Sequence, residues 1–267
     1  MLRYGNPSVN RWVSKSEVNI PEAEYDKATY RGVIGKTALL IAITIISAVI
    51  TMFATRYGIF QFAETGEISE VAIWSFIIGI IVAIVLMIVC SIAIAISPKT
   101  TKVFGPLYAI IQGAFLGFIA AFIDMILPFV TVAAMLGTVI VFITCMLLYK
   151  VIGVRIKSNF VRVLTISLMC FVLAELIIVP IMLFVPMEGV YTALIWIQAI
   201  ATFICIIFAS ITILYDLQSI DYMVQSGADR KYEWPVAFSL TTSLVYLYLQ
   251  ILRLLLRILA LFSTKKR

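Results

Sequence analysis

Five polar side chains recur through an otherwise apolar stretch near the end of the chain. They are Thr242, Tyr246, Gln250, Arg253 and Arg257, within PVAFSLTTSLVYLYLQILRLLLRILALF from Pro235 to Phe262. Steps of four, four, three and four residues place all five in one stripe of a 3.6-residue helix. An arginine at the centre of a bilayer costs about 2.5 to 3.5 kcal/mol on insertion scales. The stripe must therefore face other helices, a water-filled cavity or, near the helix end, the headgroups. Two carboxylates join it: Glu175, in the middle of CFVLAELIIVP, and Asp216, at the end of an apolar run in ILYDLQSI. An acid in hydrocarbon stays protonated or pairs with a base, and such acids mark ion or proton paths. For Asp216, a solvated place at a helix end near Lys99 is an equally good reading.

Other chemistry has few residues to work with. Histidine is absent, which removes the usual imidazole ligand, general base and pH switch, so a response to pH near neutrality would rest on a carboxylate. Cys90, Cys145, Cys170 and Cys205 each lie deep in a different apolar run without CxxC spacing, and read as small buried hydrophobes. A retinal protein would need a lysine in its last span, where only Arg253 and Arg257 stand. Intramembrane proteolysis would need an aspartate pair, a serine with histidine, or HExxH. The expectation is a protein that is not an enzyme and carries no cofactor, with no metal site assigned. A secondary transporter stays open, although no repeated pair of broken helices is visible.

The elements that position these residues are membrane spans. Hydrophobic residues make up 63% of the 267 and charged ones 13%, with a mean hydropathy of +1.11. Soluble domains are about 45 to 50% apolar, so this is a polytopic protein whose main partner is the lipid bilayer. The net charge of +6 sits in short loops, which suits orientation in a membrane better than nucleic acid. Seven apolar runs follow one another: Thr37 to Ala54, Val71 to Ile96, Val103 to Ile123, Phe129 to Tyr149, Val163 to Val185, Tyr191 to Tyr215 and Pro235 to Phe262. All should be helical, because open strands cannot satisfy their backbone in lipid. The expected fold is thus all-α, with seven transmembrane helices over residues 37–267, the last enclosed by the others.

Residues 1–36 are polar and read as a partly disordered cytoplasmic arm, not a signal peptide. Lys99, Lys102, Lys150, Arg155, Lys157 and Arg162 occupy the 97–102 and 150–162 connections, whereas those at 55–70, 124–128 and 186–190 carry Arg56 as their one basic residue. The first group, the arm and the stretch from Leu217 to Trp234 are accordingly assigned to the cytoplasm of a cell membrane. Seven full crossings would export Lys265, Lys266 and Arg267; the bias of six crossings is taken to overrule them, with a re-entrant last segment as the alternative. In the third run, Gly105, Ala109, Gly113, Gly117 and Ala121 form a ridge of small residues at four-residue steps that admits a neighbouring backbone. Close packing is the favoured reading of this ridge. Gln112 beside it reads as an amide bonded to another helix.

YRGVIGKTALL before the first run, ILYDLQSIDYMVQSGADRKYEWPVAFSL after the sixth and SLVYLYLQILRLL in the last resemble the Bax inhibitor family, the transmembrane Bax inhibitor motif proteins. The closer likeness is to its bacterial branch with a long N-terminal arm, which GNPSVNR fits. The resemblance spans nearly the whole chain and is most specific in the last third. It implies six helices around a seventh, in agreement with the stripe. It also implies a pH-sensitive calcium leak channel, with calcium as transported ion, or a modulator of cell death and membrane-protein quality control. In the family pattern an aspartate ending the sixth helix shares a proton with an acid in the last helix and gates the pore. Asp216 matches the first position; Gln250 falls on the second, and Gln112 stands where the branch usually has an acid. Two adjacent carboxylates resist double ionisation, so one titrates at raised pH. An amide removes that repulsion, and a calcium site lacking both acids is short of negative charge. Two functions follow: a cation leak channel gated at Asp216, with Lys99, Arg253 or Arg257 as electrostatic partners, and a non-conducting modulator whose arm engages a membrane-anchored protease or another complex.

Overall fold

The computed structural model describes residues 27–65, 70–97, 99–153, 156–157, 159–160, 163–164, 166–167 and 188–264. Among these residues the chain forms six long helices: α1 (Tyr30–Thr65), α2 (Glu70–Ile96), α3 (Thr101–Ile126), α4 (Val130–Leu147), α5 (Glu188–Gln225) and α6 (Glu233–Thr264). All six are long and apolar enough to cross a membrane. They coincide with six of the seven apolar runs. Most of the run from Val163 to Val185, with Glu175 and Cys170, lies outside the described residues, as does the arm before Lys27.

Helices overrun the apolar stretches at two places that matter for the site. α1 already begins at Tyr30, inside the segment expected to be an arm. α5 continues to Gln225 instead of ending near Tyr215, so the expected 217–234 loop shrinks to a tight turn and one 3-10 turn, Arg230–Tyr232. The reason is that DLQSIDYMVQ loses the apolarity that lipid demands while keeping an inner face at helical spacing: Asp216, Ser219, Ile220 and Met223 are all buried. Hydropathy marks where hydrocarbon stops, not where the helix does.

Exposure sets α6 apart from α2 and α4. Ile81, Val85, Ile88 and Ile92 on α2 and Leu136, Val139, Ile140 and Ile143 on α4 present bare apolar surface, which suits acyl chains and would be a liability in water. On α6 no residue from Glu233 to Ile258 is exposed.

The chain divides into two compact units. One contains α1, α2, α3 and the connection from Ile220 to Thr241. Here the glycine ridge does what its spacing suggests. A Cβ on Gly113 would run into the Thr44 carbonyl and come within 2.9 Å of Ser47 Cβ, and one on Gly117 would overlap the Ala48 backbone. Ser47 Oγ donates to the Ile110 carbonyl at 2.7 Å across the same contact. Gly105 is different, since a Cβ there meets only Thr101 and Leu40 side-chain carbons at 3.6 and 3.8 Å. The head of α6 packs in this unit through an edge-to-face contact of Phe238 with Tyr108, 5.0 Å between centroids. The other unit contains α4, α5 as far as Ser219, and α6 from Thr242. In it Cys145 Sγ donates to the Ser210 carbonyl at 3.8 Å, and Gly137 lies so close to Ile251 that an added Cβ would stand 3.2 Å from its Cγ2.

Gly113→Ala and Gly117→Ala should each destabilise by about 1 to 3 kcal/mol, the usual penalty for overpacking. Gly105→Ala should be near neutral. Thermal unfolding of the three variants in detergent micelles checks the ranking.

Candidate functional site

α6 starts with Glu233 and places Pro235 in its first turn, where a missing N–H leaves no intrahelical bond unmade. From there its polar residues descend one face. Asp216 on α5 is 3% exposed, which rules out a solvated helix end. Ser243 Oγ donates to Asp216 Oδ2 at 2.5 Å. The residue that meets Asp216 on the last helix is therefore Ser243, seven positions before Gln250 and about 10 Å away along the axis at 1.5 Å per residue. The stripe carried the signal for it, since Ser243 precedes Tyr246 by three and Gln250 by seven.

Further along, Gln250 is 1% exposed and its Oε1 has no hydrogen-bond partner among the described residues. The Tyr246 hydroxyl lies in hydrogen-bonding contact with the Gln250 and Cys205 side chains, and the charge of Arg253 reaches it. Arg257 Nη1 donates to the Gln198 carbonyl on α5 at 2.6 Å, the same oxygen that receives the Thr202 hydroxyl at 2.7 Å. Asp216, Ser243, Tyr246, Gln250, Arg253 and Arg257 all belong to one unit.

Gln112, Lys99 and the ridge glycines belong to the other. Gln112 is buried on α3, whereas Lys99 is exposed in the turn between α2 and α3. The charge of Lys99 acts on Asp229. Burial pushes the Asp229 carboxyl up, but the Lys231 side chain and backbone N–H, aided by the charges of Lys231 and Lys99, outweigh it and hold the carboxyl below its ordinary value of 3.8.

Around this turn lies a clasp that neither composition nor spacing announced. Lys27 and Asp229 pair backbone to backbone in an isolated antiparallel β-bridge, and Ala28 N–H donates to the Ala228 carbonyl at 2.8 Å. Glu233, 1% exposed, forms an ion pair with Lys36, whose ammonium also stands 5.4 Å from the Trp234 ring centre. Glu233 Oε1 accepts the Thr29 N–H at 2.8 Å, while Thr29 Oγ1 accepts the Gly32 N–H at 3.1 Å. In a capping box the third residue of a helix bonds back to the capping residue. Gly32 holds that third position and has no side chain, so Glu233 supplies the carboxylate from another helix, in space that a Cβ on Gly32 would invade. Residues 27–29, the turn that holds Lys99 and the α5–α6 connection thereby meet at one end of this unit.

Among the described residues no group of three His, Cys, Asp or Glu is placed to hold a metal ion. A family model described as Bax inhibitor 1 like matches residues 6–260. No curated protein and no solved structure matches the chain.

Lys36→Met should destabilise by about 3 kcal/mol, because it leaves a buried carboxylate without its counter-charge. Gly32→Ala should act in the same direction; reversible unfolding in mixed micelles measures both. The depressed Asp229 group adds stability above its ordinary value of 3.8 that is lost as pH falls through its lowered value. Asp229→Asn should accordingly flatten the loss of stability of the native chain below about pH 4, measured by melting at stepped pH.

Proposed function

The chain belongs to the Bax inhibitor 1 like family, and we propose that it is a multi-pass cell-membrane protein acting as a pH-sensitive cation leak channel or channel-like regulator. The observation that carries this is the buried Asp216 held by Ser243 of the last helix. A carboxylate only accepts hydrogen bonds, whereas its protonated form also donates one. Protonating Asp216 changes what Ser243 can do and loosens or re-forms the contact between α5 and α6, so a proton becomes a conformational signal. The strip beyond it offers Ser243, Tyr246 and Gln250 oxygens, with Asp216 as its carboxylate and Arg253 and Arg257 as its cationic end. Hard cations such as calcium need oxygen ligands rich in negative charge, so this strip would pass a cation without retaining it.

Seven crossings around a central last helix complete this reading. Lys99 and Asp229 lie near one another at one end of their unit, so an even number of crossings separates them in sequence. α3, α4 and α5 account for three, and the apolar run from Val163 to Val185 is the sequence's candidate for the fourth. The absence of exposed residues along α6 from Glu233 to Ile258 supports its central place. The arm is assigned to the cytoplasm by the basic loops.

A second reading, a non-conducting modulator of a membrane-anchored protease or of membrane-protein quality control, is favoured by the amides Gln250 and Gln112 at positions where the family resemblance leads one to expect acids. Removing residues 1–26, which spares the clasp, would then abolish co-purification of a partner; undiminished capture would sink this version.

For the channel, the full chain reconstituted in calcium-loaded vesicles should leak calcium at a rate that depends on pH, and Asp216→Asn should make the rate independent of pH. No flux at any pH in the native chain overturns it.

A further inference from the structure

Lys27, Arg31, Lys99, Lys102 and Arg230 are all exposed, and the contacts around Asp229 join the three segments that carry them at one end of the unit built on α1, α2 and α3. Their depth follows from the glycine ridge. Leu40 lies against Gly105, Thr44 against Gly113 and Ala48 against Gly117, so α1 and α3 run parallel. Counted back along that register, Arg31 stands about level with Thr100, which Lys99 and Lys102 flank in the chain. The acids of this end are already engaged. Glu233 is buried against Lys36, Asp229 is held by Lys231, and the Tyr30 hydroxyl meets Asp221. Among the described residues, the charge that faces outward here is therefore mainly positive.

Apolar exposure begins directly beside these charges. Ile34 is 64% exposed, Val103 68% and Ile96 76%, close in the chain to Arg31, Lys102 and Lys99 in turn. Tyr30, beside Arg31, is 42% exposed, as aromatic residues at a membrane interface are. A surface for a soluble anion has no use for such an apolar border, whereas a phospholipid has a phosphate to meet the cations and acyl chains to meet the border. We propose that this end of α1 and α3 holds the headgroup of an anionic phospholipid. Arg31 supplies the two-pronged donor to its phosphate, Lys99 and Lys102 add point charges, and the acyl chains lie along Ile34 and Val103. The clasp contributes by keeping the Glu233 carboxylate neutralised and out of the headgroup's reach. This site does not rest on the channel reading.

Native mass spectrometry tests this on the full chain, released from micelles that hold equal amounts of a phosphatidylglycerol and a phosphatidylcholine with the same acyl chains. The lipid that survives the highest collision energy should be the phosphatidylglycerol. Lys99→Gln with Lys102→Gln should weaken its retention about twentyfold, at roughly fivefold for each basic side chain near the headgroups. Lys150→Gln with Lys157→Gln removes the same charge from exposed positions of the other unit, and should change retention less than about twofold. All four positions are exposed, so folding is spared. Equal retention of the two lipids by the native chain would overturn the site, as would equal losses from the two double variants. Displacement of the lipid by a modest excess of inorganic phosphate would also overturn it, in favour of a soluble anion.

Discussion

Hydrocarbon offers no hydrogen bonds, and polar atoms on spanning helices have to find partners inside the protein. Most hydroxyls here meet the demand locally. Thr37, Thr44, Thr138, Thr202, Ser210, Thr212, Ser219 and Thr241 each donate to the carbonyl four residues earlier, at 2.7 to 3.0 Å. Ser47 and Ser243 depart from that habit, their hydroxyls leaving their own helices to bond the Ile110 carbonyl and Asp216. So does Arg257, which uses a carbonyl of α5. The same demand disfavours lipid contact for the polar strip on α6.

The two units answer the demand by different means. Around α1 and α3 the backbones approach so closely that glycine is required at 113 and 117, and dispersion between well-packed surfaces replaces the hydrophobic effect that lipid cannot supply. At the end of that unit the Glu233 carboxylate caps α1 from a distance while lying in the first turn of α6, where the helix dipole also favours negative charge. One side chain thus ties the start of the first helix to the start of the last. Around α5 and α6 the contact is polar, and its character is set by hydroxyl, amide and guanidinium groups rather than by paired acids. That composition is where this chain departs from the pattern its family resemblance implies.

Much was legible in the residues themselves. Hydropathy and run length mark seven spans, of which the helices reproduce six while the run from Val163 to Val185 lies mostly outside the described residues, and the four-residue glycine spacing in VFGPLYAIIQGAFLGFIAAF points to a close helix contact. The stripe on the last helix follows from periodicity alone, and the motifs of the last third point to the family that the match over residues 6–260 shows. These properties are local: they depend on the solvent each residue must face and on the 3.6-residue period, both present in the linear order.

What only the tertiary structure decided are the pairings. Asp216 could meet Gln250, Lys99 or water as far as spacing tells, and it is Ser243 that lies opposite, because the helix runs on through Gln225 and shifts the register of the return. Gly32 and Glu233 are 201 positions apart, and nothing in either neighbourhood signals that one is empty so that the other can fill it. Long-range contacts of this kind depend on how helix faces are brought together, a three-dimensional fact that amino-acid order encodes only collectively.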